Sequence, residues 1–409
     1  MLYNAYEVQR SFLAGASQLA GMGAGWLNNP ANPFSYASAS PLIAASLEVF
    51  SHASAPRGKP KFGIESTLVD GKKVRVREEV VLEKPFGQLN RFVRKGVDTG
   101  PRLLIVAPMS GHYATLLRGT VERMLPGHDV YVTDWRDAKL VPVSDGSFDL
   151  DDYIDYLIEF SQAIGEQTGE RPHMLAVCQP SVPAFAATAL MNADKHPFRP
   201  KTLSMMGGPI DSRKAPTAVN TLATERPLSW FEHNVVATVP AIHPGAGRKV
   251  YPGFLQLAGF MAMNLGDHLV GHWEMFKHLV AGDDESAEAS RAFYEEYRSV
   301  CDMTAEFYLQ TVETVFQKHL LPKGKFMHRG RRVDPNAITD TPLLAIEGER
   351  DDISGIGQTR AALDLAPKLP ASKRKYFLAE NVGHYGIFNG RKWREMIAPV
   401  VEEWVAKHN

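Results

Sequence analysis

Residues 173–191 constrain the fold more than any other stretch of this chain. Met174 to Val177 is an apolar run with the length and composition of a buried strand. Cys178 follows, then Gln179, Pro180, Ser181 and Pro183, and a helix-like run from Ala184 to Met191. The stretch therefore reads as a strand, a sharp turn and a helix, with a thiol at the turn. A residue at such a turn must tolerate strained backbone. A thiolate at a helix N-terminus is stabilised by the dipole, which raises the fraction present in reactive form. The competing reading is a buried structural cysteine at a strand end.

The rest of the chain decides between the two. Leu103–Ala107 is apolar throughout, the signature of a central parallel strand, Pro342–Ile346 is another apolar strand, and Val130–Asp134 and Thr202–Met206 read as further strands. Arg374–Leu378 reads as the last strand. Lys73–Leu82 alternates like an antiparallel strand after the Asp70-Gly71 turn, and Leu89–Val93 reads as its neighbour. Helical patterns fall between strands, at 114–124 and 153–169, and Trp393–Lys407 reads as a closing amphipathic helix. Strands alternating with helices predict a mostly parallel sheet flanked by helices, with right-handed crossovers.

The alternation stops near Thr221. From Leu228 to Lys323 the chain is aromatic and Met-rich at helical spacing, which predicts a helical lid or cap inserted between two sheet strands. Asp283–Glu288 reads as a solvated acidic loop, and Lys323–Arg332 as a basic connector. Before the core, Tyr3–Leu19 and Pro41–Ser51 read as helices separated by a small-residue and proline stretch. Glu7, Arg10 and Glu48 are the only charged residues ahead of His52. That segment is expected to pack onto the main domain, the alternative being contact with an apolar surface. The domain plan is 1–58 as N-terminal helical extension, 59–225 with 334–409 as α/β core, and 226–333 as insertion.

Composition narrows the function. With 45 basic and 46 acidic residues the net charge is −1, and no basic patch argues for nucleic acid. Two cysteines, Cys178 and Cys301, are no disulfide framework and fit a reducing compartment. Neither a signal-peptide pattern nor an 18-residue apolar run is present, so the expected setting is cytoplasmic, with no membrane span. No metal site is implied: His268 and His272 form a weak i, i+4 pair without the acid of HExxH, and neither a P-loop nor G-x-G-x-x-G occurs.

The strand–turn–helix at Cys178 corresponds to the nucleophile elbow of α/β-hydrolases, usually G-x-S-x-G. Here it reads Ala176-Val177-Cys178-Gln179-Pro180, with both flanking glycines replaced and Pro180 expected in the first helical turn. That fold orders its residues as nucleophile, acid, histidine, and this chain offers Cys178, then Asp351 or Asp352, then His384, each just past a strand. Asp351 is preferred for its place in the turn after Gly348. His384 would be the general base and the aspartate its orienting partner. The oxyanion hole would take backbone N–H groups from Gln179 and from Met109 or Ser110. Ser181 is expected to point away from the site and His112 to pack. Substrate-binding residues are not legible.

With these residues placed, the chain resembles the intracellular polyhydroxyalkanoate depolymerases, which share their plan with bacterial polyester synthases. The resemblance lies in Leu-Tyr-Asn-Ala-Tyr-Glu (2–7), Ala-Pro-Met-Ser-Gly-His (107–112), Thr-Asp-Trp-Arg-Asp (133–137) and Ala-Val-Cys-Gln-Pro-Ser (176–181). It continues in Met-Gly-Gly-Pro-Ile-Asp (206–211), Gly-Glu-Arg-Asp-Asp-Ile (348–353) and Gly-His-Tyr-Gly (383–386). It implies a granule-associated enzyme on stored poly(3-hydroxybutyrate), with Cys178 as nucleophile, Asp351 as acid and His384 as base. No cofactor is implied, though coenzyme A could serve as acyl acceptor. A homodimer is left open. Synthases typically keep a glycine where this chain has Pro180, which argues for breakdown over synthesis.

Overall fold

The structure is a computed structural model and describes residues 2–56, 58–263, 296 and 298–409. Two helices come first, α1 (Leu2–Leu27) and α2 (Ser40–Ser54). The core begins with β1 (Ser66–Val69), β2 (Lys72–Lys84), β3 (Gly87–Arg94) and β4 (Arg102–Val106). Then come α3 (Arg118–Met124), β5 (Asp129–Trp135), α4 (Leu150–Thr168), β6 (His173–Val177), α5 (Ser181–Ala193) and β7 (Leu203–Met206). Helix α6 (Ala218–Glu225) follows, and the insertion contributes α7 (Leu228–Asn234), β8 (Ala237–Thr238), β9 (Lys249–Tyr251), α8 (Gly253–Met263) and β10 (Met303–Thr304). A small hairpin, β11 (Met327–His328) and β12 (Arg331–Arg332), precedes the last sheet strands, β13 (Leu343–Gly348) and β14 (Arg374–Ala379).

Nine strands form one sheet in the order β1-β2-β3-β5-β4-β6-β7-β13-β14. The first pairings, through β3 with β5, are antiparallel, and all from β5–β4 to β13–β14 are parallel. Every residue of β4, β6 and β13 is buried, which is why these strands carry apolar runs rather than an alternation, with Arg102, His173 and Glu347 as their polar members. The chain leaves β4 for β5 on one side and returns past it to β6. Ligands bind at such a reversal, beyond the carboxyl ends of the strands.

Helix α4 shows why this sequence folds locally as it does. Asp149 caps it in a capping box with Asp152, and Gly169 ends it at φ 72°. Leu150, Tyr153, Ile154, Leu157, Phe160 and Ile164 recur at three- and four-residue spacing and are all buried. Each such apolar side chain contributes roughly 1.5–3 kcal/mol by leaving water.

Three expectations are corrected. Helix α1 does not stop at Leu19 but runs to Leu27. Its glycines are points of close approach to α2: a Cβ at Gly21 would lie 3.0 Å from Ser51 Oγ and one at Gly23 would lie 3.2 Å from Leu47 Cδ1. The insertion is not purely helical, because β10, β9 and β8 form an antiparallel sheet. The basic 323–332 stretch is a hairpin pinned to the core: Arg329 pairs with Asp152 and Asp155, and Arg331 with Asp194. The acidic loop 283–288, the pair His268 and His272, and the aromatic residues Trp273, Phe276, Phe293, Tyr294 and Tyr297 lie outside the described residues.

The N-terminal pair docks through the start of α1. Tyr3 Oη donates to the buried Asp302 at 2.6 Å, Tyr6 stacks on Phe254, and His243 contacts Glu7 at 3.1 Å. Its outward face keeps Val8, Phe12, Leu19, Met22, Trp26 and Phe50 exposed. Among the described residues no helix is long and apolar enough to cross a membrane.

Candidate active site

Cys178 leaves the end of β6 with φ +67°, a conformation that costs a non-glycine residue energy and persists only where its surroundings impose it. Its N–H donates to Met206 O at 2.7 Å, and its carbonyl accepts from Ser181 N at 3.0 Å. Pro180 is the helix N-cap, not a residue of the first turn, and α5 starts at Ser181. Ser181 is therefore the first helical residue, fully buried.

The two glycines missing from the elbow are compensated across the sheet. Gly207 and Gly208 follow β7, the neighbouring strand. A Cβ on Gly208 would meet Ser181 Oγ at 2.0 Å and Cys178 O at 2.8 Å. A Cβ on Gly207 would stand 3.2 Å from both Asp351 Oδ2 and His384 Cε1. These glycines make room for the elbow and for the acid–histidine pair, a positioning role that inspection of the elbow alone does not reveal.

The structure brings Cys178, His384 and Asp351 together. His384 Nδ1 lies 2.8 Å from Asp351 Oδ2, with both side chains almost wholly buried. Asp351 Oδ1 accepts from Ile353 N at 2.9 Å and Ser354 N at 2.7 Å, so the loop after β13 holds the carboxylate by its other oxygen. Asp352 is exposed and outside this arrangement. Cys178 lies near enough to His384 for its charge to act on the imidazole. Burial pushes the imidazole pKa down, but the charges of Cys178 and Asp351 outweigh it and hold His384 well above the ordinary histidine range. Cys301 differs: it is buried, and desolvation pushes its thiol up, away from a reactive form.

The loop after β4 faces the elbow. Ala107 O accepts from Trp135 Nε1 at 2.8 Å and Tyr153 Oη at 3.0 Å, and Ala107 N donates to Thr133 Oγ1 at 2.9 Å. Further along, Cys301 N donates to Gly111 O at 2.8 Å, and His112 is buried beside Val300 in an isolated bridge. Met109, between these anchors, has its N–H directed at the elbow, where it donates to Gln179 Oε1 at 3.2 Å. The Gln179 N–H has no acceptor among the described residues. Ser110 is half-buried in the same loop. Among the described residues no cluster of His, Cys, Asp or Glu is arranged to hold a metal.

Sheet order, a strained residue after β6, and the succession of Cys178, Asp351 and His384 past β6, β13 and β14 define an α/β-hydrolase fold. A family model described as "PHB de-polymerase C-terminus" matches residues 207–409, a span that includes Asp351 and His384 and begins after Cys178. The chain is 23% identical over 316 residues to the poly(3-hydroxyalkanoate) polymerase subunit PhaC of Haloarcula marismortui, covering 76% of this chain and 61% of that protein. It is 23% identical over 327 residues to the protein of the same name from Synechocystis sp., covering 75% and 78%. The chain thus spans less than two thirds of the Haloarcula marismortui relative. Among solved structures it is similar to 2-hydroxy-6-oxo-6-phenylhexa-2,4-dienoate hydrolase from Rhodococcus sp. strain RHA1, with TM-score 0.46 and 12% identity over 81% of this chain and 99% of that one.

Proposed function

We propose that the protein is a polyhydroxyalkanoate depolymerase that hydrolyses amorphous poly(3-hydroxybutyrate) in the cytoplasm through an acyl-thioester on Cys178. The observation that carries this reading is the Asp351-oriented His384 beside Cys178, with the Met109 N–H turned toward the next residue, Gln179. The thiolate attacks the ester carbonyl carbon, forming C–S and leaving an oxyanion for the Met109 and Gln179 N–H groups. The ester C–O bond then breaks, and the leaving alkoxide takes the proton from His384. Water, deprotonated by His384, attacks the thioester, and the thiolate departs with the hydroxyacid or oligomer released.

The polymer partner is supported by the N-terminal pair. A segment with three charges ahead of His52, Glu7 among them turned inward, and outward Phe12, Trp26 and Phe50 suits a neutral polyester surface. The 226–333 insertion is proposed as the cap above the site.

A second reading is acyl transfer, favoured by the polymerase names of the two curated relatives. A thioester donates as readily to coenzyme A or a chain-end hydroxyl as to water. Clearing of amorphous granules, with products identified with and without coenzyme A, separates the two. Free hydroxyacid or oligomer without coenzyme A supports hydrolysis; release only as hydroxyacyl-coenzyme A, or polymer growth, overturns it in favour of transfer.

A further inference from the structure

The donor proposed for the oxyanion is not idle in the resting protein. Met109 N–H donates to the side-chain oxygen of Gln179, the residue next to the nucleophile, at 3.2 Å. An amide carbonyl is an sp² acceptor like the carbonyl of an ester, so it takes the N–H from the same direction. We propose that the Gln179 side chain is a placeholder for the acyl carbonyl: Oε1 occupies the substrate oxygen's position on Met109 N–H, and substrate binding displaces it. This rests on the reading of Cys178 as nucleophile.

Two observations make Gln179 the part that moves. The 107–112 loop is anchored on both sides of Met109, by Trp135 and Tyr153 on Ala107 O and by Cys301 on Gly111 O. The Met109 N–H therefore stays where it is. Gln179 has no such hold, because its Nε2 is buried without a hydrogen-bond partner among the described residues. A buried amide with one end unsatisfied is poorly retained. Its rotation onto solvent, or onto an acceptor brought by the substrate, satisfies the amide and frees the N–H. The placeholder keeps a buried donor paired while the site is empty, and each acyl group must compete with it.

The sign of the effect is testable, because a Gln179 amide that assisted the oxyanion would act in the opposite direction. Butanal adds reversibly to a thiolate and places an oxyanion at the proposed position. Its dissociation constant is read as the concentration that halves alkylation of Cys178 by iodoacetamide, a reaction that forms no oxyanion. Measuring it by competition within each variant cancels any change in the alkylation rate itself. Gln179→Ala and Gln179→Met retain the backbone N–H and remove the competing carbonyl. Both are expected to bind butanal roughly three- to tenfold more tightly than wild type, the worth of one neutral hydrogen bond. Equal or weaker binding in both variants overturns the proposal. Tightening in Gln179→Ala alone also overturns it, since added room and not the lost acceptor would then be the cause. Failure of Cys178 to alkylate in wild type overturns the nucleophile reading itself, and the placeholder with it.

Discussion

Gly208→Ala tests whether the elbow's missing glycines are compensated from β7. The added methyl would lie 2.0 Å from Ser181 Oγ, 2.2 Å from Ser181 Cβ and 2.8 Å from Cys178 O. Ser181 is fully buried at the start of α5, and Cys178 O is backbone bonded to Ser181 N, so neither neighbour can swing aside. Relief requires α5 and the elbow to move together. Overpacking of this kind costs about 1–3 kcal/mol. A nucleophile displaced by ~1 Å loses about a hundredfold in rate. The assay is urea unfolding alongside hydrolysis of a small aryl ester. Gly15→Ala, on the exposed side of α1 with nothing near its Cβ, is the control and should be neutral or stabilising by up to roughly 1 kcal/mol. Wild-type stability and rate in Gly208→Ala would falsify the compensation argument.

Other perturbations probe the remaining parts of the site. Asp351→Asn should lower the ester hydrolysis rate by about 10³–10⁴-fold, because the amide no longer fixes the His384 tautomer, while Asp352→Asn should change it less than about threefold; equal effects would contradict the geometry. Because Cys178 and Asp351 hold His384 well above its ordinary range, Cys178→Ala should lower the titration midpoint of the imidazole, read by NMR, and an unchanged midpoint would contradict the pairing. Cys301 should stay unmodified in the folded protein, as peptide mapping can check. Asp302, pushed up from 3.8 to about 6 by burial and then by Asp137, with Lys139 opposing, favours folding when protonated. That contribution is full below 3.8 and is lost as pH rises through about 6. Asp302→Asn should therefore gain melting temperature relative to wild type as pH is raised across that window, and a constant difference would refute the assignment.

Much of this was legible because buried parallel strands carry their signature in sequence. β4, β6, β7 and β13 are mainly apolar because both faces are covered, and β5 is likewise buried along its length. The candidate triad was legible from order, since Cys178 and Asp351 follow such strands and His384 follows β14, the partly buried edge strand. The choice of Asp351 over Asp352 depended on a turn geometry that the Ile353 and Ser354 N–H groups now make explicit. Other features were hidden for physical reasons. Gly21 and Gly23 read as a helix break, yet they admit α2 close to α1. Strands β8, β9 and β10 are two or three residues long, too short to show periodicity. The roles of Gly207 and Gly208 depend on what lies across from them, and the Gln179–Met109 bond depends on a side-chain direction. Sequence order specifies neither.

The central claim is a covalent acyl-thioester on Cys178, and trapping it is the most direct measurement. The protein is mixed with a 3-hydroxybutyrate oligomer, quenched in acid during turnover, digested and analysed by mass spectrometry. The account predicts a 3-hydroxybutyryl adduct on the peptide holding Cys178, released by neutral hydroxylamine and absent from Cys178→Ala. Turnover with no adduct on that peptide in either the wild type or a slow-deacylating His384 variant, or an adduct on Ser110 or Ser181 instead, would contradict it.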